Sequence, residues 1–307
     1  MKGLDLARGY YEDVVRPAVS LKFGERFSRM AFGLVGEGSE CYGFDDEISQ
    51  DHDFGPRVQI WLTAEDYAAF GEALQAFLAT VSKDYAGYRG VNVSQYGEGR
   101  EGVFTVGGFY SRFIGLARAP ESIAEWRRLP EVNLSIATNG AVFFDGPGDF
   151  SALRQRLLDF YPEPLRLKKM AARCMKMAQS GQYNFSRCLR RGERVGASLA
   201  AAEFIQTAGS MLFLMNRRYC PFYKWMHRGL RELPLLGAQA APLLEQIAVG
   251  DDWTKAQKIE ELSALIIEEL RKEGLTNSRS DFLLDHGPEL QAHVTDEGLR
   301  RLPVFAE

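Results

Sequence analysis

The chain has 307 residues, 46% of them apolar and 25% charged, with a formal net charge of −4. That is ordinary globular composition, and at roughly 150 residues per domain the length predicts two domains, each with its own core. No apolar run approaches the roughly 20 residues needed to span a bilayer, so a membrane-embedded protein is not expected. The stretch Met1–Lys22 is charged and helical in pattern, unlike a signal peptide. Four scattered cysteines (Cys41, Cys174, Cys188, Cys220) show neither CxxC nor metal-ligand spacing. A disulfide scaffold and a zinc–thiolate site are therefore not expected, and the expected setting is cytoplasmic, with reduced thiols and no membrane partner.

In chain order, Met30–Val35 is an apolar run ending at Gly36, Gly38 and Ser39, which predicts a buried strand entering a tight turn. Val58, Ile60 and Leu62 alternate with Gln59 and Trp61, the pattern of a half-buried strand. Thr63, with Asp66 three residues on, predicts a capped helix start. The apolar positions Tyr67, Phe70, Leu74, Phe77, Leu78 and Val81 then follow the 3.6-residue period. Short strands are predicted at Val91–Ser94, Val103–Val106 and Ala141–Phe144, before the break Gly146-Pro147-Gly148. Beyond Asp149 helical periodicity takes over, as in Phe204, Ala208, Met211, Leu212, Met215 and in Ile259, Leu262, Leu265, Ile266, Leu270. Consecutive helices of this kind predict a bundle. The fold class is thus α+β, strands and helices mixed over 1–148 and a helical bundle over 149–307.

Charge is distributed unevenly. Between Arg166 and Arg194 stand nine basic residues against one acid, Glu193, a local +8 that leaves −12 for the rest of the chain. Such a segment is either a solvated helix face or a surface for phosphates or nucleic acid.

The chemistry concentrates between Gly36-Glu-Gly-Ser39 and Asp51-His52-Asp53. Residues two apart on a strand share a face, so an extended 51–53 would project both aspartates together, close enough to hold a divalent metal. The same parity places Arg57 and Gln59 with the acids and sends His52 to the packed side, unless Gly55-Pro56 forms a bulge. Paired carboxylates suit metal-assisted phosphoryl transfer, because Mg²⁺ takes one or two of them and completes its shell with water and phosphate oxygens. Glycines at 36 and 38 let the backbone approach a phosphate, and Ser39 adds a hydroxyl.

Phe32-Gly-Leu-Val-Gly-Glu-Gly-Ser39 followed by Asp51-His-Asp53 resembles the signature of the DNA polymerase β-like nucleotidyltransferase superfamily. Gly43-Phe-Asp-Asp-Glu-Ile-Ser-Gln-Asp-His-Asp-Phe-Gly-Pro-Arg57 is similar to a bacterial group within it that adds a helical C-terminal domain of unknown function. Gly140-Ala-Val-Phe-Phe-Asp145 and Asn216-Arg-Arg-Tyr-Cys-Pro-Phe-Tyr-Lys-Trp225 are similar to the core's end in aminoglycoside nucleotidyltransferases and to that group's helical-domain motif. The resemblance implies a nucleotidyltransferase-fold mixed sheet with flanking helices, and transfer of NMP from an NTP, ATP first, to an acceptor. It implies Asp51 and Asp53 as catalytic ligands of Mg²⁺, two ions being possible, Gly38 and Ser39 at the triphosphate, and Lys224 as a phosphate contact. The superfamily also supplies a third carboxylate from a neighbouring strand. The strand at 103–106 offers Thr105 there, leaving Glu101 before it and Glu131 beyond the next helix as candidates.

Arg217, Arg218 and Lys224 cluster with Tyr219, Tyr223 and Trp225, either as cations at a helix end or as phosphate-binding cations with aromatics for base stacking. The methionines at 170, 175, 177, 211 and 215 read as core filling. GxSxG, a Walker P-loop and a full dinucleotide-binding glycine pattern are absent. Two alternatives remain beside the transferase. One is a nucleotide-binding regulatory protein on the same scaffold, the other an RNA-binding or RNA-modifying protein using 166–194. The acceptor is left open among small molecules, RNA and protein.

Overall fold

The computed structural model describes residues 1–91, 94 and 99–307. It is α+β and divides into two compact units, one of residues 1–121 and 129–159, the other of 122–128 and 160–307. Of the strand expected at Val91–Ser94, residues 92 and 93 lie outside the described residues.

In the first unit, α1 (Gly3–Tyr10) and α2 (Arg16–Phe23) lead to β1 (Ala31–Leu34), and β2 (Gln59–Leu62) follows after a long loop. The Thr63 side chain accepts the Asp66 N–H at 3.1 Å and so opens α3 (Ala64–Asp66), which a π-helical segment joins to α4 (Glu72–Leu78). A short hairpin, β3 (Asp84–Tyr85) and β4 (Tyr88–Arg89), precedes β5 (Gly102–Thr105). Thr105 caps α5 (Val106–Ile114) by accepting the Gly108 N–H at 2.9 Å. After α6 (Ile123–Arg128), which belongs with the second unit, come α7 (Glu131–Thr138), β6 (Ala141–Asp145) and α8 (Asp149–Leu158). The sheet order is β5-β2-β1-β6, with β1 antiparallel to both neighbours and β5 parallel to β2.

One face of this sheet is covered by the first helices and by α4. Val15, Val19, Phe70 and Leu74 join Phe32, Ile60, Leu62 and Val103 in one buried cluster. The sequence pattern for β2 was that of a half-buried strand, yet all four of its residues are buried. The reason lies on the other face, where Trp61 stacks on Phe150 of α8 with ring centroids 3.7 Å apart and meets Phe109 of α5 edge-on. Because α8 packs on β6 and α7, it belongs to the first unit. The division therefore falls after Asp159 rather than at 148, and residues 122–128 join the second unit. Asp145 closes β6 and caps α8, accepting N–H groups of Gly148 at 2.9 Å and Ser151 at 2.7 Å.

The second unit is helical, with α9 (Glu163–Met177), α10 (Ser186–Arg190), α11 (Arg194–Met215), α12 (Tyr223–Leu230), α13 (Gly237–Val249), α14 (Asp252–Lys272), α15 (Gly287–Ala292) and α16 (Glu297–Arg300). Both periodic runs read from sequence lie in helices, the first in α11 and the second in α14. Asp251 opens α14 by accepting the Thr254 N–H at 2.7 Å. Among the described residues α11 is long and apolar enough to cross a membrane by length and composition alone. It packs on α9 and α13, and 56% of its most apolar window is buried.

The Trp61–Phe150 stack ties α8 to the sheet. Trp61→Ala is expected to cost about 3–5 kcal/mol by cavity formation, and Trp61→Phe distinctly less. Thermal unfolding followed by circular dichroism checks both.

Candidate functional site

The bend that leaves β1 is fixed from two sides. The Val35 N–H donates to Gln59 Oε1 on β2 at 2.8 Å. Asn139, between α7 and β6, accepts the Gly36 N–H at 2.8 Å and donates to the Gly36 carbonyl at 2.7 Å. Gly36 and Gly38 have φ of 121° and 124°, which L side chains rarely adopt. A Cβ at Gly38 would also lie 2.5 Å from the Glu40 carboxylate oxygens. Ser39 starts a 3₁₀ turn over Glu40–Tyr42, its carbonyl accepting the N–H groups of Tyr42 and Phe44 at 3.1 and 2.9 Å. Its hydroxyl is half-buried and has no hydrogen-bond partner among the described residues.

The loop from the bend to β2 is organised by buried charge. Glu40 and Arg57, both buried, form an ion pair. Burial and the neighbouring charge of Arg100 push the Arg57 pKa down to about 10. Asp45 is also buried and accepts the Gly3 N–H at 2.8 Å, anchoring the start of α1, so the Asp45-Asp46-Glu47 run is not simply a solvated loop.

Asp51, His52 and Asp53 are not in a strand. They form a bend, and β2 begins only at Gln59. Asp53 has a left-handed φ of 53°, and Gly55 one of 150°, so the alternation that would have put both aspartates on one face is broken. The two acids have different surroundings. The Asp51 side chain is 63% exposed and sits 2.7 Å from His52 Nδ1. His52 is itself exposed rather than packed, again because no strand carries it. Asp53 is 4% exposed. Its Oδ1 accepts the Ser94 N–H at 2.8 Å, its Oδ2 accepts the Ser94 hydroxyl at 2.7 Å, and Arg100 Nη1 lies 3.4 Å from Oδ2. Burial alone would raise the Asp53 pKa. The two Ser94 hydrogen bonds, with the charges of Arg100 and His52, outweigh it and hold the carboxyl below its usual range.

The remaining sequence candidates are dispersed. Glu101, just before β5, pairs with Lys83 at 2.5 Å, and Glu131 is half-buried at the start of α7. In the second unit, Arg217 pairs with Glu163 at 2.7 Å, while Arg218 is exposed. Lys224 is exposed and lies 5.0 Å from the centroid of the Trp225 ring. Tyr219 is not an open stacking platform. It is 7% exposed, stacked on Phe160 and edge-on to Tyr161 in the core of its unit.

Oxygen donors such as Asp51 and Asp53 suit Mg²⁺ chemically. Their arrangement does not suit it, since Asp53 is engaged by Ser94 and Arg100 and Asp51 faces solvent. No three His, Cys, Asp or Glu side chains among the described residues form a metal-binding group. Sequence reasoning missed Asn139, Glu40, Ser94 and Arg100, and it set Gln59 with the acids rather than at the bend. None of these carries a motif signal, and each is brought in from a distant part of the chain or from the loop itself.

Residues 126–226 match the family described as Domain of unknown function (DUF4037), from Trp126 in α6 to Met226 in α12. No curated protein matches the chain. Among solved structures the chain is similar to a nucleotidyltransferase-like protein from Exiguobacterium sibiricum 255-15. The TM-score is 0.36 and the identity 12%, over 85% of this chain and 77% of that one.

A carboxyl with a lowered folded-state pKa stabilises the fold above its unfolded value and loses that contribution as pH falls through the folded value. The stability difference between wild type and Asp53→Asn should therefore be open at pH 7 and narrow below about pH 4. Urea unfolding at a series of pH values checks this.

Proposed function

We propose that the first unit binds a nucleoside triphosphate at the Gly36–Ser39 bend and that the protein transfers its NMP, from ATP first, to an acceptor. The observation that carries this reading is the bend itself. It is fixed by Asn139 and Gln59 at the end of a buried strand, with two glycines in left-handed conformation and a serine hydroxyl without a hydrogen-bond partner among the described residues. Small residues let phosphate oxygens reach the backbone, and a hydroxyl adds a donor. The motif resemblance of Phe32–Ser39 and Asp51–Asp53 supports the same class.

In the proposed reaction the acceptor's nucleophile bonds to the α-phosphorus, the bond to the β-phosphate oxygen breaks, and pyrophosphate leaves. The acceptor's proton goes to a base. Asp51, beside His52 and open to solvent, is the carboxylate placed to serve in that role. Asp53, occupied by Ser94 and Arg100, takes no part in this step.

That occupation favours a second reading, a protein that binds nucleotide without transferring it. The RNA reading draws less support, because Arg166, Lys168 and Lys169 of the basic segment are buried and Arg166 pairs with Glu163 at 2.7 Å. Only Arg190, Arg191 and Arg194 of its nine cations are exposed.

Incubation with each α-labelled NTP and cell extract, with Mg²⁺ and with chelator, separates the two readings. Transfer predicts a labelled acceptor and released pyrophosphate, with Asp51→Asn slower by about 10²-fold or more. Ser39→Ala should weaken NTP binding by about tenfold with the fold intact by circular dichroism. Binding without label on any acceptor supports the second reading. Unchanged NTP affinity in both Ser39→Ala and Gly38→Val overturns the site.

A further inference from the structure

The first unit carries a groove that the proposed function does not use. β6 is an outer strand of the sheet, hydrogen-bonded to β1 on one side only. Backbone groups alternate in direction along an antiparallel strand, so about half of those in β6 point away from β1. Among the described residues no other hydrogen bond reaches the backbone of residues 141–145. Beside the start of this strand lies a cavity of about 340 Å³, with Gly140, Ala141 and Val142 on one side. Three consecutive residues line it, where a cavity over one face of the strand would meet alternate ones, so it opens on the edge. Ser151, Arg154, Gln155 and Leu158 of α8 form the opposite wall.

Arg154 supplies the charge in this cavity. Its Nη2 donates to the carbonyls of Thr138, Asn139 and Gly140 at 2.7, 3.1 and 3.2 Å, which fixes the guanidinium where α7 gives way to β6. Carbonyl oxygens accept these hydrogen bonds but bring only the fractional charge of a helix end. Among the described residues no carboxylate pairs with Arg154, and its Nε and Nη1 have no hydrogen-bond partner. Burial lowers its pKa from the ordinary value, with Tyr110 opposing. The Ser151 hydroxyl is likewise without a hydrogen-bond partner among the described residues. Gln155 adds no charge of its own, its amide nitrogen donating to Asp159 at 2.9 Å. Ala141, Val142 and Leu158 are apolar. One unmatched cation beside a small apolar wall fits one carboxylate carrying an apolar group.

We propose that this groove takes the C-terminal residues of a partner polypeptide as a strand added antiparallel to β6, with the terminal carboxylate on Arg154. Direction and chemistry agree. An antiparallel strand on β6 ends where β6 begins, and Arg154 stands at that end. A main-chain carboxylate continues the line of the ladder, whereas the side chain of an acidic residue points to a face of the sheet. The cavity volume suits one terminal residue, and the exposed backbone edge supplies hydrogen bonds to those before it. The proposal does not rest on the nucleotide reading. It touches the supports of the Gly36–Ser39 bend only through the Asn139 carbonyl.

A library of fluorescein-labelled hexapeptides with free carboxyl ends and varied last residues, read by anisotropy on the full chain, tests the groove. Peptides ending in an apolar residue should bind, and amidating the carboxyl end of the best binder should weaken it about tenfold or more. Arg154→Met should cause a similar loss. Hydrogen exchange at 141–145 should slow several-fold in the bound state. The amide comparison and the exchange measurement use the wild-type chain, so they decide the matter even where Arg154→Met fails to fold. The proposal is overturned by a library without binders, by acid and amide binding alike, or by unchanged exchange at 141–145. Acetyl-leucine binding as tightly as the best peptide assigns the cavity to small carboxylates and overturns the added strand. Protection at 141–145 that grows with protein concentration before any peptide is present assigns the edge to a second copy of the chain, and also overturns it. No readout involves a nucleotide, so failure here leaves the transferase reading untouched.

Discussion

The buried Glu40–Arg57 ion pair is the interaction on which the first unit's site depends. Two charges withdrawn from water are tolerated only when each is matched, and removing one partner leaves the other uncompensated. Glu40 follows the bend and Arg57 precedes β2, so the pair draws the intervening loop against the sheet. The approach is close enough that position 38 has no room for a side chain beside the Glu40 carboxylate. Bend, loop and strand are thereby one mechanical unit. Arg100 lies within electrostatic reach of Arg57 and leans on Asp53, so a second acid–arginine pair forms beside the first.

The consequence for chemistry is a division of labour between two aspartates that look alike in sequence. Asp53 is buried, deprotonated and saturated by donors, which makes it a structural anchor of the loop in this conformation. Asp51 is exposed beside an exposed histidine. Any transfer reaction that uses both carboxylates together has to withdraw Asp53 from Ser94 and Arg100 first. The bend needs no such rearrangement, since its geometry is already set by Asn139 and Gln59. Nucleotide binding is thus the better-prepared half of the proposed activity.

The basic segment of the second unit shows how linear charge can mislead. Its cations read in sequence as a candidate stripe for phosphates or nucleic acid, yet α9 turns most of its own inward. Arg166 is held by Glu163, Lys168 by backbone carbonyls and Gln291, and Lys169, Arg173 and Lys176 by Glu307. Their acidic and carbonyl partners come largely from more than a hundred residues away. What remains at the surface is a short cluster around Arg190–Arg194 rather than a continuous strip.

Local signals were legible wherever the physics is local. The apolar run of β1, the Thr63 and Asp251 caps, the helical periods of α11 and α14 and the glycine bend all depend on residues within a turn or two of one another. By contrast, the covered second face of β2, the placement of α8 with the sheet and the burial of Tyr219 depend on what packs against them. The parity argument for Asp51 and Asp53 failed at a backbone conformation, a left-handed Asp53 followed by Gly55 at φ 150°, which period-two counting does not register. The amino-acid order alone determined an α+β chain with a small-residue turn after its first buried strand. Folding in three dimensions decided which charges are satisfied and which are open, because a buried ion's partner is chosen by proximity in space and can come from anywhere along the chain.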